Sequence, residues 1–466
     1  MVFCYLCSAT YYITTMYTLT FLIIAVFVFG YLCIALESGI KVNKSAIALL
    51  MCVFCWSLYM WNPLPYVAAA YPDYAGGAAG VLDKVSDIIK EHLGDTAETL
   101  FFLMGAMTIV EIVDANGGFN FVRDSIKTRS KRKLLWRIAF MTFFLSAVLD
   151  NLTTSIVMIM VLRKLVKQPK ERIIYASLVI IAANCGGAFS PIGDVTTIML
   201  WIGGMITTQG VIKEVLGPSL ISLIIPVFIL QFSLKDKLPQ ENNIAEKNNS
   251  VFTKNQRRLI FILGVGGLIF VPVFRALTDL PPFMGILLVL GVLWTITEIF
   301  HKNLKGEKDT MAKRVTELLS RIDMSTILFF LGILMAVACL EEVGVLKATG
   351  AWLNDVSGGN HYLVTGVIGV ISSIIDNVPL VAGSMGMYPL AAAGDMAPDG
   401  IFWQLLAYCA GVGGSMLIIG SAAGVVVMGL EKITFGWYLK HISWIALLGY
   451  LAGIGLYWLE KTFIFC

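Results

Sequence analysis

The chain has 466 residues, of which 58% are apolar and 14% are charged, with a formal net charge of +3 and a mean hydropathy of +0.81. A soluble domain usually carries about 25% charged and about 45–50% apolar residues. Apolar runs recur along the whole sequence, and about 20 apolar residues suffice for one membrane span. The composition therefore excludes a soluble globular protein, gives no sign of a nucleic-acid partner, and predicts a polytopic helical membrane protein embedded in a lipid bilayer.

The predicted elements form two halves around a polar segment. Residues 1–16 are predicted as an N-terminal tail and residues 63–95 as a loop. In the first half, residues 17–234, the predicted crossings are 17–35, 45–62, 97–115, 172–208 and 216–234. A polar cytoplasmic linker is predicted over 235–257. In the second half, residues 258–463, the predicted crossings are 258–277, 282–300, 323–343, 401–430 and 441–460.

One further apolar stretch in each half is predicted to enter the membrane and return. Residues 138–162 have strongly basic flanks on both sides, so a single crossing would place one basic cluster outside. A re-entrant hairpin over 138–165, with its tip at Asp150-Asn151, removes this conflict. Its irregular tip requires surrounding protein or a water-filled cavity. A second hairpin is predicted over 362–393, where Pro379 interrupts the helix just after Asp376-Asn377.

The two halves share short similar segments at nearly constant spacing. The pair Asp-Asn recurs after 226 residues, LFFLMGAM resembles LFFLGILM after 228, and GGAFSPIG parallels GGSMLIIG after 227. Five crossings and one hairpin per half force the halves into opposite orientations, a plan typical of secondary transporters. The predicted fold is an all-α polytopic membrane protein with two inverted-topology repeats. Each repeat has five transmembrane helices, including one broken helix (172–208 and 401–430), plus one re-entrant helical hairpin.

The tip of the first hairpin carries Asp150, Asn151, Thr153 and Thr154. An aspartate near the centre of a membrane helix costs about 2.5–3.5 kcal/mol on insertion scales and is by default a functional candidate. Carboxylate, amide and hydroxyl oxygens suit a hard cation such as Na⁺. A polar patch that joins packed helices is the alternative interpretation, above all for the threonines.

The broken helix of the first half carries a second polar group. Four glycine or proline residues within GGAFSPIG interrupt an apolar stretch at its centre, and the flanking polar residues are Asn184, Asp194, Thr196 and Thr197. Interrupted membrane helices expose backbone dipoles to an ion. Asp194 is also well placed to cap the following half-helix, and capping and ion binding are compatible. From the hairpin tip and this broken helix together, we predict Na⁺ binding at Asp150, Asn151, Asp194 and Thr196.

The second half contributes Asp376, Asn377, Ser415 and Ser421, the last two within a glycine-rich break. A packing interface of small residues explains these glycines nearly as well as a site does. Three further acids, Glu111, Glu341 and Glu342, end predicted crossings. They are interpreted either as solvated caps or as a proton path.

Four segments resemble the NhaD-type sodium/proton antiporters of the ion transporter superfamily: SAVLDNLTTSIVM, NCGGAFSPIGDVTTIMLWIGG, SSIIDNVPLVAGSMGMYPL and GGSMLIIGSAAGVVVMG. The resemblance covers roughly residues 95–435. It implies expulsion of Na⁺ and Li⁺ driven by the proton gradient. The site residues that it implies are Asp150, Asn151, Thr153, Asn184, Asp194, Thr196, Thr197, Asp376, Asn377, Ser415 and Ser421.

The residues themselves also favour cation exchange. Asp150, Asp194 and Asp376 have no lysine or arginine close by in sequence. Because burial disfavours the charged form of a carboxyl group, a proton and a cation compete for the same oxygens. We therefore predict that the protein is a transporter and not an enzyme. It should exchange Na⁺ or Li⁺ for H⁺ by alternating access, without a cofactor.

Several alternatives on the same fold stay open. A sodium-coupled dicarboxylate symporter would need a cationic fork for its substrate, and no arginine lies near the helix breaks in sequence. An arsenite permease would need no ion-specific site, and the interrupted helices argue against a channel. We expect a homodimer in a bacterial inner membrane, with both termini outside.

Overall fold

The computed structural model describes residues 2–36, 40–119, 128, 130–234, 252–302 and 315–464. The regular elements of these ranges are helices, as the sequence predicts. From the N-terminus they are α1 (Val2–Ala35), α2 (Lys44–Trp61), α3 (Leu64–Ala70), α4 (Gly77–Ala115), α5 (Lys131–Ser146), α6 (Asn151–Leu165), α7 (Pro169–Ala188), α8 (Val195–Ile202), α9 (Thr208–Leu230) and α10 (Lys254–Thr278). They continue with α11 (Pro282–Lys302), α12 (Val315–Leu319), α13 (Met324–Glu342), α14 (Val345–Ser357), α15 (His361–Ser372), α16 (Asn377–Met387), α17 (Ile401–Gly413), α18 (Ala422–Glu431), α19 (Phe435–Tyr438) and α20 (Trp444–Phe463).

Eight helical segments within the described residues are long and apolar enough to cross a membrane. They are Thr15–Ile34, Lys44–Trp61, Gly77–Ala115, Thr208–Ser233, Lys254–Thr278, Pro282–Lys302, Met324–Glu342 and Phe435–Phe463. The predicted all-α polytopic fold is thereby confirmed.

Four pairs of shorter helices in the described residues each have a short non-helical segment between their two members. Helices α5 and α6 are separated by residues 147–150, and α15 and α16 by residues 373–376. Helices α7 and α8 are separated by 189–194, and α17 and α18 by 414–421. The re-entrant path of the hairpins and the inverted orientation of the halves stay predictions.

The described helices belong to two compact units. The first unit comprises residues 1–100, 323–360 and 382–389. Its centre is the packing of α2 on α13. Ser45 donates to the carbonyl of Ser325 (2.6 Å), and the Trp56 indole donates to the carbonyl of Met335 (2.8 Å).

The second unit comprises residues 101–322, 361–381 and 390–466, and it contains both broken helices. In it α5 packs on α7, α15 packs on α17, and α9 packs on α20. The α9–α20 contact is close at Gly449, where a Cβ atom would lie 2.6 Å from the carbonyl oxygen of Ser222. The second unit therefore positions the segments that carry the candidate site.

Several predicted boundaries were wrong. Helix α1 begins at Val2, whereas residues 1–16 were expected to form a tail. The expected loop over 63–95 contains α3 and the first part of α4. That part of α4 is amphipathic, with Val81, Val85 and Ile88 buried along one face. The polar residues between them lower the average hydropathy, so the segment does not stand out as a helix in the sequence. Most of the predicted linker, residues 235–251, lies outside the described residues.

Candidate functional site

Asp194 is at the centre of the polar cluster in the second unit. It is only 1% exposed and forms the N-cap of α8, where its Oδ1 accepts from the backbone N–H of Thr196 (3.4 Å). The Thr197 hydroxyl completes a capping box by accepting from the Asp194 N–H (3.3 Å). The chain reaches this cap through the SPIG segment, in which Pro191 lacks an N–H and favours the interruption. Local sequence thus fixes the position of the carboxylate.

Two asparagine side chains donate to the other oxygen of Asp194. Asn151 Nδ2 lies 3.2 Å from Asp194 Oδ2, and Asn377 Nδ2 lies 3.1 Å from the same atom. Asn151 begins α6 and Asn377 begins α16, so the two Asp-Asn pairs of the sequence reach one carboxylate. Both asparagines are buried.

Asn184 links this carboxylate to the second broken helix. Its Oδ1 accepts from Asn151 Nδ2 (3.1 Å). Its Nδ2 donates to the hydroxyls of Ser415 (3.0 Å) and Ser421 (3.0 Å). Ser421 also caps α18 by accepting from the N–H of Gly424 (3.2 Å). Five residues that are far apart in sequence therefore form one continuous hydrogen-bond network with Asp194.

Asp150 and Asp376 accept hydrogen bonds from other donors than Asp194 does. Asp150 caps α6, accepting from the N–H (2.7 Å) and the hydroxyl (2.6 Å) of Thr153. Asp376 accepts from the N–H of Val378 (3.3 Å) at the start of α16. Each directly precedes an asparagine that donates to Asp194. The structure thus brings the segments of the three predicted carboxylates together, and the two amides donate to Asp194.

Asp150 also faces a small cavity with otherwise apolar walls, among them Phe102, Met107 and Leu268. The cavity has a volume of about 20 Å³, enough for one water molecule.

Two predicted site threonines keep unused hydroxyl oxygens. Thr154 Oγ1 and Thr196 Oγ1 are buried, and neither has a hydrogen-bond partner among the described residues. The hydroxyl of Ser155, which the sequence reasoning missed although it follows Thr154 directly, is in the same condition. A buried polar atom without a partner is uncommon and calls for an explanation such as an ion or water. These oxygens are available as ligands.

The predicted proton-path acids lie elsewhere. Glu111 is 31% exposed at its side chain and pairs with Arg321 at 3.5 Å, as expected for a solvated position. Glu341 and Glu342 belong to the first unit. There Glu342 Oε1 lies 2.9 Å from His92 Nε2 and accepts from the Tyr71 hydroxyl at 3.2 Å. Burial, and after it the Glu342 charge, raises the pKa of Tyr71, so the phenol stays a donor.

A second buried carboxylate in the second unit has cationic partners. The Glu431 side chain is 1% exposed and accepts from Arg163 Nε (2.7 Å) and Arg172 Nε (2.6 Å). Asp194 differs sharply. Within the described ranges its side-chain hydrogen bonds come from backbone and amide N–H groups, and none comes from a lysine, arginine or histidine.

A helical membrane protein whose interrupted helices enclose a buried polar cluster has the architecture typical of membrane transport proteins. A family described as "Citrate transporter" matches residues 31–405. Sodium/proton antiporter 1 of Arabidopsis thaliana is 46% identical over 432 residues, covering 92% of this chain and 70% of that protein. Sodium/proton antiporter 2 of the same plant is 42% identical over 433 residues, covering 92% and 96%.

A bacterial relative is also named a sodium/proton antiporter, and a solved transporter structure has a similar fold. The Na(+)/H(+) antiporter NhaD of Alkalimonas amylolytica is 30% identical over 468 residues, covering 94% of this chain and 90% of that protein. The crystal structure of the Alcanivorax borkumensis YdaH transporter shares the fold, with a TM-score of 0.60 at 13% identity over 91% of this chain and 99% of that chain. The chain belongs to the citrate transporter family and, within it, to the NhaD-type sodium/proton antiporters. It is a multi-pass membrane transporter and not an enzyme, as the sequence predicts.

Proposed function

We propose that this protein exchanges Na⁺ and Li⁺ for H⁺, with cation and proton competing for Asp194. One observation supports the proposal above all. Asp194 is 1% exposed, and among the described residues neutral amides donate to it. An ion-paired buried carboxylate such as Glu431 accepts from arginine instead. A buried carboxylate without a cationic partner is costly. It is stabilised by taking up either a proton or a metal ion. The same oxygens cannot hold both, which couples the two fluxes.

The two asparagines suit both loaded states. A carboxamide has N–H donors on one side and a carbonyl oxygen on the other. Asn151 and Asn377 donate to Asp194 in the arrangement described here. When a cation binds, rotation of either amide offers its oxygen as a ligand, together with the unused hydroxyls of Thr154 and Thr196. Hard monovalent cations prefer such oxygen ligands.

Equivalent contacts in the two broken helices support alternating access between inverted repeats. A Cβ atom on Gly193 would lie 2.9 Å from Gly187 Cα and the same distance from its oxygen. In the second broken helix, a Cβ atom on Gly420 would lie 2.8 Å from the oxygen of Gly414. Both glycines of this second pair lie 227 residues after their counterparts. Two similar interruptions, one per half, provide the paired elements that rocking-type transporters use.

The exchange is tested with purified protein in proteoliposomes that contain a pH-sensitive dye. Adding Na⁺ or Li⁺ should move protons, and adding K⁺ should not. The Asp194→Asn variant should abolish the response while reaching the same protein level. Full exchange by this variant would contradict the proposal.

Dicarboxylate transport is a second candidate because the matching family is described as a citrate transporter. A polyanion beside Asp194, Asp150 and Asp376 would be repelled, and Arg163 and Arg172, which follow Asp150 in sequence, are engaged by Glu431. Uptake of labelled citrate or succinate driven by Na⁺ in the same proteoliposomes would favour this function instead.

The proposed exchange needs no cofactor and no protein partner beyond a second copy of the chain. We propose a homodimer in a bacterial inner membrane with both termini outside. Cross-linking in native membranes, with reporter fusions at each end, tests the assembly and the orientation.

A further inference from the structure

Ser146, the last residue of α5, contacts the first broken helix at two places, each directly before a residue of the candidate site. Its hydroxyl donates to the carbonyl of Ala183 at 2.7 Å, and Ala183 directly precedes Asn184. Its own carbonyl oxygen lies 2.8 Å from where a Cβ atom on Gly193 would stand, and Gly193 directly precedes Asp194. Ser146 is fully buried. Ser146 is thus outside the polar network but contacts the residues that directly precede Asn184 and Asp194.

The second half has an equivalent serine with a different neighbour. Ser372, the last residue of α15, is fully buried and donates to the carbonyl of Ala410 at 2.9 Å. Ser372 and Ala410 lie 226 and 227 residues after Ser146 and Ala183. Ala410, however, precedes Gly411, which carries no side chain. The two hydrogen bonds are alike in donor, acceptor and burial, but only the first supports a residue of the network.

Asn184 is sensitive to small displacements of its backbone. Its amide makes three side-chain hydrogen bonds of 3.0–3.1 Å, to Asn151, Ser415 and Ser421. Hydrogen bonds weaken steeply when the donor and acceptor separate or bend. The contact between α5 and α7 is close, since a Cβ atom on Gly186 would lie 2.1 Å from the carbonyl oxygen of Phe143. Any change at the end of α5 is therefore transmitted to α7.

We propose that Ser146 is a positioning residue for cation binding: its hydrogen bond to Ala183 holds Asn184, and through it Asn151, in register with Asp194. This inference rests on the proposed function. Ser372 performs the same structural task in the second half without positioning a ligand. The cation site is accordingly built on the first broken helix, and the second provides hydroxyls and bare backbone around it.

The test compares Ser146→Ala with Ser372→Ala in proteoliposomes, measuring the KM for Na⁺ and the maximal rate. A net buried hydrogen bond contributes about 1 kcal/mol, which corresponds to about a fivefold change in an equilibrium constant. Ser146→Ala should raise the KM for Na⁺ about fivefold with a nearly unchanged maximal rate. Ser372→Ala should leave the KM unchanged. Both should lower the melting temperature to a similar extent, because each loses one equivalent bond.

A second substitution keeps the test decisive if Ser146→Ala does not fold. Ser146→Cys preserves the side-chain shape but offers only a weak S–H donor, so it should raise the KM in the same way. Equal KM values in the Ser146 and Ser372 variants, or a wild-type KM in both Ser146 variants, would overturn the positioning role. Absence of Na⁺-dependent proton movement in the unmodified protein would instead overturn the proposed function, so the two failures are distinguishable.

Discussion

Asp194 and Glu431 are two buried carboxylates in the same unit with opposite surroundings. Glu431 accepts from two arginines, and its charge is compensated within the protein. Asp194 accepts from two neutral amides and the start of α8. Breaking a buried ion pair is strongly destabilising, whereas an uncompensated buried charge favours uptake of a proton or cation. The difference separates a carboxylate that joins helices from one that is suited to exchange its partner.

The largest effect is expected for Asp194→Asn. Asparagine has nearly the same shape and can still cap α8 through its single oxygen, and its N–H group then replaces the oxygen that faces Asn151 and Asn377. Na⁺-dependent proton exchange should fall by at least about 100-fold, because the only proton acceptor of the network is removed. The melting temperature should fall much less than in Glu431→Gln, since no ion pair is lost. Transport with a dye readout and thermal unfolding of the same sample check both halves of this expectation.

Glu431→Gln should show the reverse pattern. It leaves Arg163 and Arg172 without their carboxylate, and breaking a buried pair costs about 3–5 kcal/mol. Arg163 is 43% exposed, so we expect a value near the lower end of that range. The folded fraction should bind Na⁺ with an unchanged KM. A large change in the KM with little loss of stability would show that Glu431 acts in the exchange and would remove the contrast with Asp194.

Substitution of the two amides should weaken cation binding unequally. Asn377→Ala removes one hydrogen bond to Asp194, and Asn151→Ala removes bonds to both Asp194 and Asn184. Asn377→Ala also removes the carbonyl oxygen proposed as a cation ligand, so the KM for Na⁺ should rise at least about tenfold, on the scale of about 1.5–3 kcal/mol for a contact with a charged group. The rise should be larger in Asn151→Ala. The opposite order would contradict the network described here.

The smallest effect is expected at Thr196, whose Oγ1 has no hydrogen-bond partner among the described residues. Thr196→Val should not reduce the free energy of unfolding, because no hydrogen bond is lost. It should raise the KM for Na⁺ about threefold to fivefold if the hydroxyl is a cation ligand, on the scale of one net hydrogen bond. Thr196→Ser, which keeps the hydroxyl, is the matched control. Equal KM values for the valine and serine variants would exclude Thr196 as a ligand.

Sequence patterns were sufficient to locate the helix interruptions. Asp150 and Asp376 stand out because charge is costly in apolar sequence, and GGAFSPIG contains residues that break helices. The same patterns do not distinguish Asp150 from Asp194, since both are aspartates beside threonines in apolar stretches. What separates them is tertiary: Asn377 reaches Asp194 from 183 residues away.

Two other features were beyond the reach of a hydropathy reading. The first part of α4 is polar on average, and its helical nature depends on a single buried face. Sequence alone does not show that Glu431 is buried, yet its side chain is 1% exposed between two arginines. Burial of a charged residue depends on partners that are distant in sequence.

The central claim, that a proton and a cation compete for Asp194, is tested most directly by titrating weakly buffered, detergent-solubilised protein with Na⁺ while the pH of the solution is recorded. Na⁺ binding should release protons from the unmodified protein, and K⁺ should not. Asp194→Asn should abolish the release, and Glu431→Gln should retain it. Na⁺ binding without proton release, or undiminished release from Asp194→Asn, would show that the two ions do not compete for Asp194.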